Sequence, residues 1–71
     1  MNHPRPTDQE LSGMTVNERL SSCGLLDKWD TAATKRQREE MIAVLRLVAL
    51  TEEDAAKITD TVLRNPAKYG F

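Results

Sequence analysis

Apolar residues recur along most of this chain at intervals of three and four, the spacing that gathers them on one face of an α-helix. Val16, Leu20 and Cys23 open the pattern. Thr15 precedes them, and Glu18 stands three residues after it, the arrangement of a capping box. In that box the Thr hydroxyl accepts the Glu18 N–H, and the Glu18 carboxylate accepts the Thr15 N–H. Gly24 supplies a stop, so a first helix is expected over about residues 15–23. Leu25, Leu26, Trp29, Ala32 and Ala33 form the next stripe, with Asp27, Lys28, Asp30 and Thr31 opposite. This predicts an amphipathic second helix ending near Thr34 or Lys35. The polar stretch Lys35-Arg36-Gln37-Arg38 holds neither Gly nor Pro, which leaves open whether the second and third helices are continuous.

A third helix is expected over about residues 38–49, with Glu39 and Glu40 near its N-terminus, where the helix dipole favours negative charge. Met41, Ile42, Val44, Leu45, Leu47, Val48 and Ala49 make it apolar nearly all round, with Arg46 the one charge in its second half. Such a helix must be covered on more than one face, either at the centre of a bundle or in a dimer interface. Thr51 reads as the N-cap of a fourth helix whose first turn is Glu52-Glu53-Asp54. Its stripe is Ala55, Ile58 and Val62, and Asn65-Pro66 ends it, because the residue before proline is pushed out of the α region. No segment alternates with period two, so no strand is expected.

Residues 1–13 read differently. Two prolines, Gly13 and polar side chains surround a single Leu11, too little apolar surface to offset the entropy of ordering. The expected organisation is therefore a disordered N-terminal arm, 1–13, followed by a single helical domain, 14–71. The fold class is all-α, a small bundle of three or four short helices.

Composition narrows the function classes. At 71 residues, with 39% hydrophobic and 30% charged, the chain holds one small soluble core. Ten basic residues against eleven acidic leave a net charge of −1, which removes the electrostatic case for a dedicated nucleic-acid or polybasic membrane binder. Arg5, Asp8 and Glu10 lie in the arm, so nine charges of each sign remain and the helical part is neutral. One cysteine excludes an internal disulfide and a multi-cysteine metal site. The apolar runs 42–45 and 47–50 fall short of the roughly 20 residues that span a bilayer. With no apolar leader, a cytoplasmic location is expected.

The stretch MTVNERLSSCGLLDKWDTA from Met14, with MIAVLRLVAL and the ending NPAKYGF, resembles a group of short uncharacterised bacterial proteins. Those begin near MTVNERL, continue with GLLD, an aromatic residue and Asp, and end near NPxxYG. The likeness covers about residues 14–71. It implies a small helical bacterial protein whose shared unit starts at Met14, with residues 1–13 an extension or an upstream start. It carries no activity and no functional residues across.

Candidate chemistry is sparse. His3, behind Met1 and Asn2, could complete a square-planar nitrogen set for Cu(II) or Ni(II) with the N-terminal amine and two amides, but a solvated tail histidine is the preferred reading. Cys23 sits near a helix C-terminus, where the dipole disfavours a thiolate, and reads as structural. Asp27 and Asp30 could act as an acid–base pair only inside a cleft, so they read as a solvated face. Lys35, Arg36 and Arg38, with Arg19 nearby, form the one basic cluster. No aromatic residues interleave with it for base stacking. Tyr69 and Phe71 close the chain with two of its three aromatics, either folded over the core or docked into another protein. Phosphate loops, ligand clusters and nucleophile elbows are absent from the sequence.

The expected function is therefore non-catalytic, a protein–protein interaction or regulatory module without cofactor. Its interface candidates are Val44, Leu47, Phe71 and Trp29, and homodimerisation through the spare face of the third helix is expected. The alternative is a nucleic-acid-associated regulator using Lys35, Arg36 and Arg38.

Overall fold

The computed structural model describes residues 6–71. Its described residues form five α-helices and a 3₁₀ helix, with no strand: α1 (Asp8–Ser12), α2 (Val16–Ser22), α3 (Leu26–Thr34), α4 (Arg38–Arg46), α5 (Glu52–Arg64) and the 3₁₀ helix Pro66–Tyr69. The all-α class stands, with one more helix than the apolar pattern predicts.

That extra helix lies inside the stretch expected to be disordered. Thr7 caps α1 with a complete capping box: its hydroxyl accepts the Glu10 N–H, and its own N–H donates to Glu10 Oε1 at 3.1 Å. Leu11, the one apolar residue of the segment, is 2% exposed in the core. A reading from residue type alone missed α1 because a five-residue helix shows a single apolar position and no period. His3 lies outside the described residues.

The boundaries of α2, α3 and α5 match the expected ones, and the reasons are local. Thr15 and Glu18 form the reciprocal cap of α2, and the Thr51 hydroxyl accepts the Asp54 N–H of α5. Between α2 and α3, Leu25 N donates to Leu20 O at 2.8 Å and Gly24 N to Ser21 O at 3.1 Å. With Gly24 at φ 68°, this is a Schellman stop. The same pair of bonds closes α3, Gln37 N to Ala32 O at 2.9 Å and Arg36 N to Ala33 O at 3.1 Å. Here Arg36, at φ 55°, occupies the left-handed position that glycine usually fills. The second and third predicted helices are thus separate.

The third predicted helix is α4, and it is shorter than expected, ending at Arg46 with residues 47–49 in turns. Met41, Leu45 and Val48 are fully buried and Val44 is 4% exposed, so the apolar side is covered within the single chain. α4 packs chiefly against α5 and then against α3. The chain thus covers the apolar side of α4 itself, and Arg38, Glu39, Glu40, Ala43 and Arg46 are its exposed residues, with Leu47 exposed just past its end. Among the described residues no helix is long and apolar enough to cross a membrane.

Candidate interaction groove

A depression runs between two walls that come from early and late parts of the described residues. One wall is α2 and α3, contributing Val16, Glu18, Leu26, Trp29 and Asp30. The other is α5 and the C-terminal segment, contributing Ile58, Val62, Tyr69 and Phe71. The space between them measures about 720 Å³ and is open to solvent.

Each wall is placed by a short-range device. The Thr15–Glu18 cap sets the start of α2, so Val16 emerges at the first turn beside the groove. Leu26 begins α3 and is 36% exposed, while Trp29, less than one turn on, is 5% exposed with its side chain anchored in the core. Ile58 and Val62 are spaced i,i+4 on α5 and share one face. The chain then reverses: Phe71 N donates to Pro66 O at 2.9 Å, Gly70 N donates to Ala67 O at 3.3 Å, and Gly70 adopts φ 87°. That closure returns Phe71 to the core margin and leaves Tyr69 41% exposed. The Lys68 ammonium stands 5.8 Å from the Tyr69 ring centroid.

The lining is mostly apolar at its floor, and Glu18 and Asp30 are the charged residues in it. Glu18 Oε1 accepts the Thr15 N–H at 3.0 Å, and this backbone donor, followed by the Thr15 hydroxyl, holds the carboxyl below the usual carboxylate range. Beyond Tyr69 a smaller depression of about 260 Å³ continues over Ile58, Thr61 and Val62 to Lys57, which pairs with Glu53 at 3.4 Å.

Of the interface candidates read from the sequence, Trp29 and Phe71 meet at this groove. Val44 and Leu47 do not: Val44 is a core residue, and Leu47, 52% exposed, lies past the end of α4. Val44 is therefore corrected from surface to core, because α4 turns that side toward α3 and α5. Leu26, Ile58 and Val62 were missed as groove residues, while Tyr69, read as either folded over the core or docked into another protein, stands exposed at the groove. The adjacent pair Leu25-Leu26 held the signal, since neighbours on a helix point about 100° apart and one must leave the core.

The basic cluster is partly consumed by structure. Arg38 Nε and one terminal nitrogen donate to the two carboxylate oxygens of Asp60 on α5, at 2.8 and 3.3 Å. This bidentate contact lowers the Asp60 pKa and raises that of Arg38. Arg19 is turned inward onto backbone carbonyls. Lys35 and Arg36 remain exposed at the α3–α4 turn. Asp27 and Asp30 line different depressions, so they form no pair. Cys23 is half-buried against the core. Among the described residues no three His, Cys, Asp or Glu side chains group as a metal site.

Compared with protein families, curated proteins and solved structures, the chain matches none.

Proposed function

We propose that this chain is a non-catalytic interaction or regulatory module, working in the cytoplasm, that captures a segment of another protein in the groove between α2/α3 and α5. The observation that carries this reading is an open, apolar-floored groove of about 720 Å³ with Leu26 and Tyr69 exposed on its walls. Large exposed apolar side chains facing each other across a concavity are where a small soluble domain gains most from a partner. Trp29 and Phe71 add aromatic surface at the same place.

The nucleic-acid alternative rests on Lys35 and Arg36 alone once Arg38 is engaged by Asp60. Two exposed cations in a near-neutral chain are a small electrostatic footprint.

The test compares Leu26→Glu with Leu47→Glu, two exposed leucines of which only the first borders the groove. A partner recovered by the parent chain and by Leu47→Glu, but lost by Leu26→Glu, supports the groove. A partner lost equally from both variants, or from neither, removes it. A mobility-shift titration at low salt, with Lys35→Ala and Arg36→Ala as controls, tests the alternative.

A further inference from the structure

We infer that the occupant of this groove is an amphipathic helix whose apolar stripe is bordered, along one edge, by lysine or arginine; the inference rests on the docking function proposed above. Two features of the lining combine to define it. The apolar floor is supplied by side chains at helical spacing on both walls, notably Leu26, Ile58 and Val62 with Tyr69. A surface of that kind receives the i, i+3, i+4 and i+7 anchors of a helix laid along it. A volume of about 720 Å³ falls in the range of sites that bury several apolar groups at once.

The charges then select among such helices. Glu18 on α2 and Asp30 on α3 are the charged groups of the lining, they share one sign, and they stand on the same wall. Around them, Arg19 is committed to the backbone carbonyls of Met14 and Val48, so no cation from α2 neutralises that wall. Glu18 stays ionised well below neutral pH because the Thr15 N–H holds it. The side chains of the opposite wall, Ile58, Val62, Tyr69 and Phe71, are uncharged, and on the same elements Lys57 pairs with Glu53 while Lys68 stands over the Tyr69 ring.

A second copy of this chain fits less well. In a twofold interface the same patch meets itself, so a concave groove would face a concave groove and neither would be filled. The occupant favoured by complementarity carries positive charge on one edge, and that asymmetry sets which way round it lies.

The experiment uses the full chain and two labelled peptides of about 14 residues, long enough for about four helical turns. Both carry the same leucine stripe; one is flanked on a single edge by lysine, the other by glutamate. Fluorescence anisotropy is expected to show the lysine peptide binding at least about tenfold more tightly at low salt, the difference shrinking as salt is raised. Asp30→Lys is expected to weaken the lysine peptide and strengthen the glutamate peptide. Asp30→Asn weakens the lysine peptide by about two- to fivefold, the size of one exposed charge contact. Leu26→Glu abolishes binding of both, and circular dichroism confirms that each variant is folded.

Equal affinity for the two peptides, with both lost in Leu26→Glu, overturns the charge inference while leaving the groove as a docking site. No binding of either peptide overturns the helical occupant, and the groove itself is then judged by the Leu26→Glu and Leu47→Glu comparison. Sedimentation showing a dimer that Leu26→Glu dissociates replaces the basic helix with a second copy.

Discussion

Arg19 on α2 donates from a terminal guanidinium nitrogen to the Val48 carbonyl oxygen at 3.2 Å, across 29 residues of chain. Its Nε donates to Met14 O at 3.1 Å, and further contacts reach Ala49 O at 3.5 Å and Ser12 O at 3.4 Å. These carbonyls lie at or just beyond the C-terminal ends of α1 and α4, where helical hydrogen bonding runs out. One planar cation therefore satisfies acceptors from two chain turns and holds α2 against both. Arg19→Met, which keeps much of the apolar stem, is expected to cost about 2 kcal/mol in urea unfolding, the scale of hydrogen bonds made by a charged donor. Arg19→Lys should recover less than half, because an ammonium cannot span the same fork. A stability change under about 0.5 kcal/mol for Arg19→Met would show the contacts to be incidental.

Leu11 makes α1 part of the folded unit rather than an appendage. Leu11→Ala should destabilise by about 2–4 kcal/mol, as for other buried leucines. Removing residues 1–13 should cost at least as much, since it also takes away the Ser12 carbonyl bound by Arg19. Thermal unfolding of the shortened chain at the parent Tm sinks this prediction.

Acid is expected to loosen the bundle through three carboxylates. Glu10 and Glu18 are held below their usual range by the backbone N–H and hydroxyl of Thr7 and Thr15, and Asp60 by the hydrogen bonds from Arg38. Each ionises at lower pH in the folded chain than in the unfolded one. Their stabilisation is therefore complete above the ordinary carboxylate pKa, about 4, and is lost as pH falls through the lowered folded values. The Tm should be flat from neutral pH to about 5 and decline below it. In the triple variant Glu10→Gln, Glu18→Gln, Asp60→Asn the neutral Tm drops and the acid decline flattens. An unchanged slope in that variant refutes the assignment.

Arg36 and Ala49 hold positive φ, 55° and 67°, without being glycine. A left-handed backbone costs a side-chain-bearing residue on the order of 1 kcal/mol. Arg36→Gly should accordingly raise stability by up to about 1 kcal/mol, since Arg36 occupies the glycine position of the Schellman stop. The measurement is the urea midpoint, and a lower midpoint counts against the strain.

Thr59 is fully buried on α5 and its hydroxyl has no hydrogen-bond partner. Thr59→Val replaces that hydroxyl with a methyl of similar shape and is expected to stabilise by about 1 kcal/mol. Calorimetry showing a lower Tm for the valine variant would mean that the hydroxyl is satisfied in solution.

The parts of the fold legible in the residues are those governed by neighbours in the chain. Thr15 with Glu18, Thr51 before its acidic turn, Gly24 and Asn65-Pro66 act within one helical turn, so the positions of α2 and α5 and the end of each could be read directly. The all-α class followed from periodicity in the same way. The break after α3 was less legible because its left-handed residue is Arg36, which gives no local sign of the turn. α1 was not legible because Leu11 acquires its meaning only from the core that receives it.

The groove depended on tertiary structure throughout. Leu26, Ile58 and Tyr69 are ordinary members of apolar stripes until α5 and the returning C-terminal segment set them opposite α2 and α3. The basic cluster changed for the same reason, since Asp60 lies 22 residues from the Arg38 it binds. By itself the sequence determined the helices, their caps and the near-neutral charge, because these depend on short-range geometry and on counting. Tertiary packing decided which leucine is covered, which arginine is spent and which carboxylates border the open surface, because burial is settled only by what the chain brings back from far along its length.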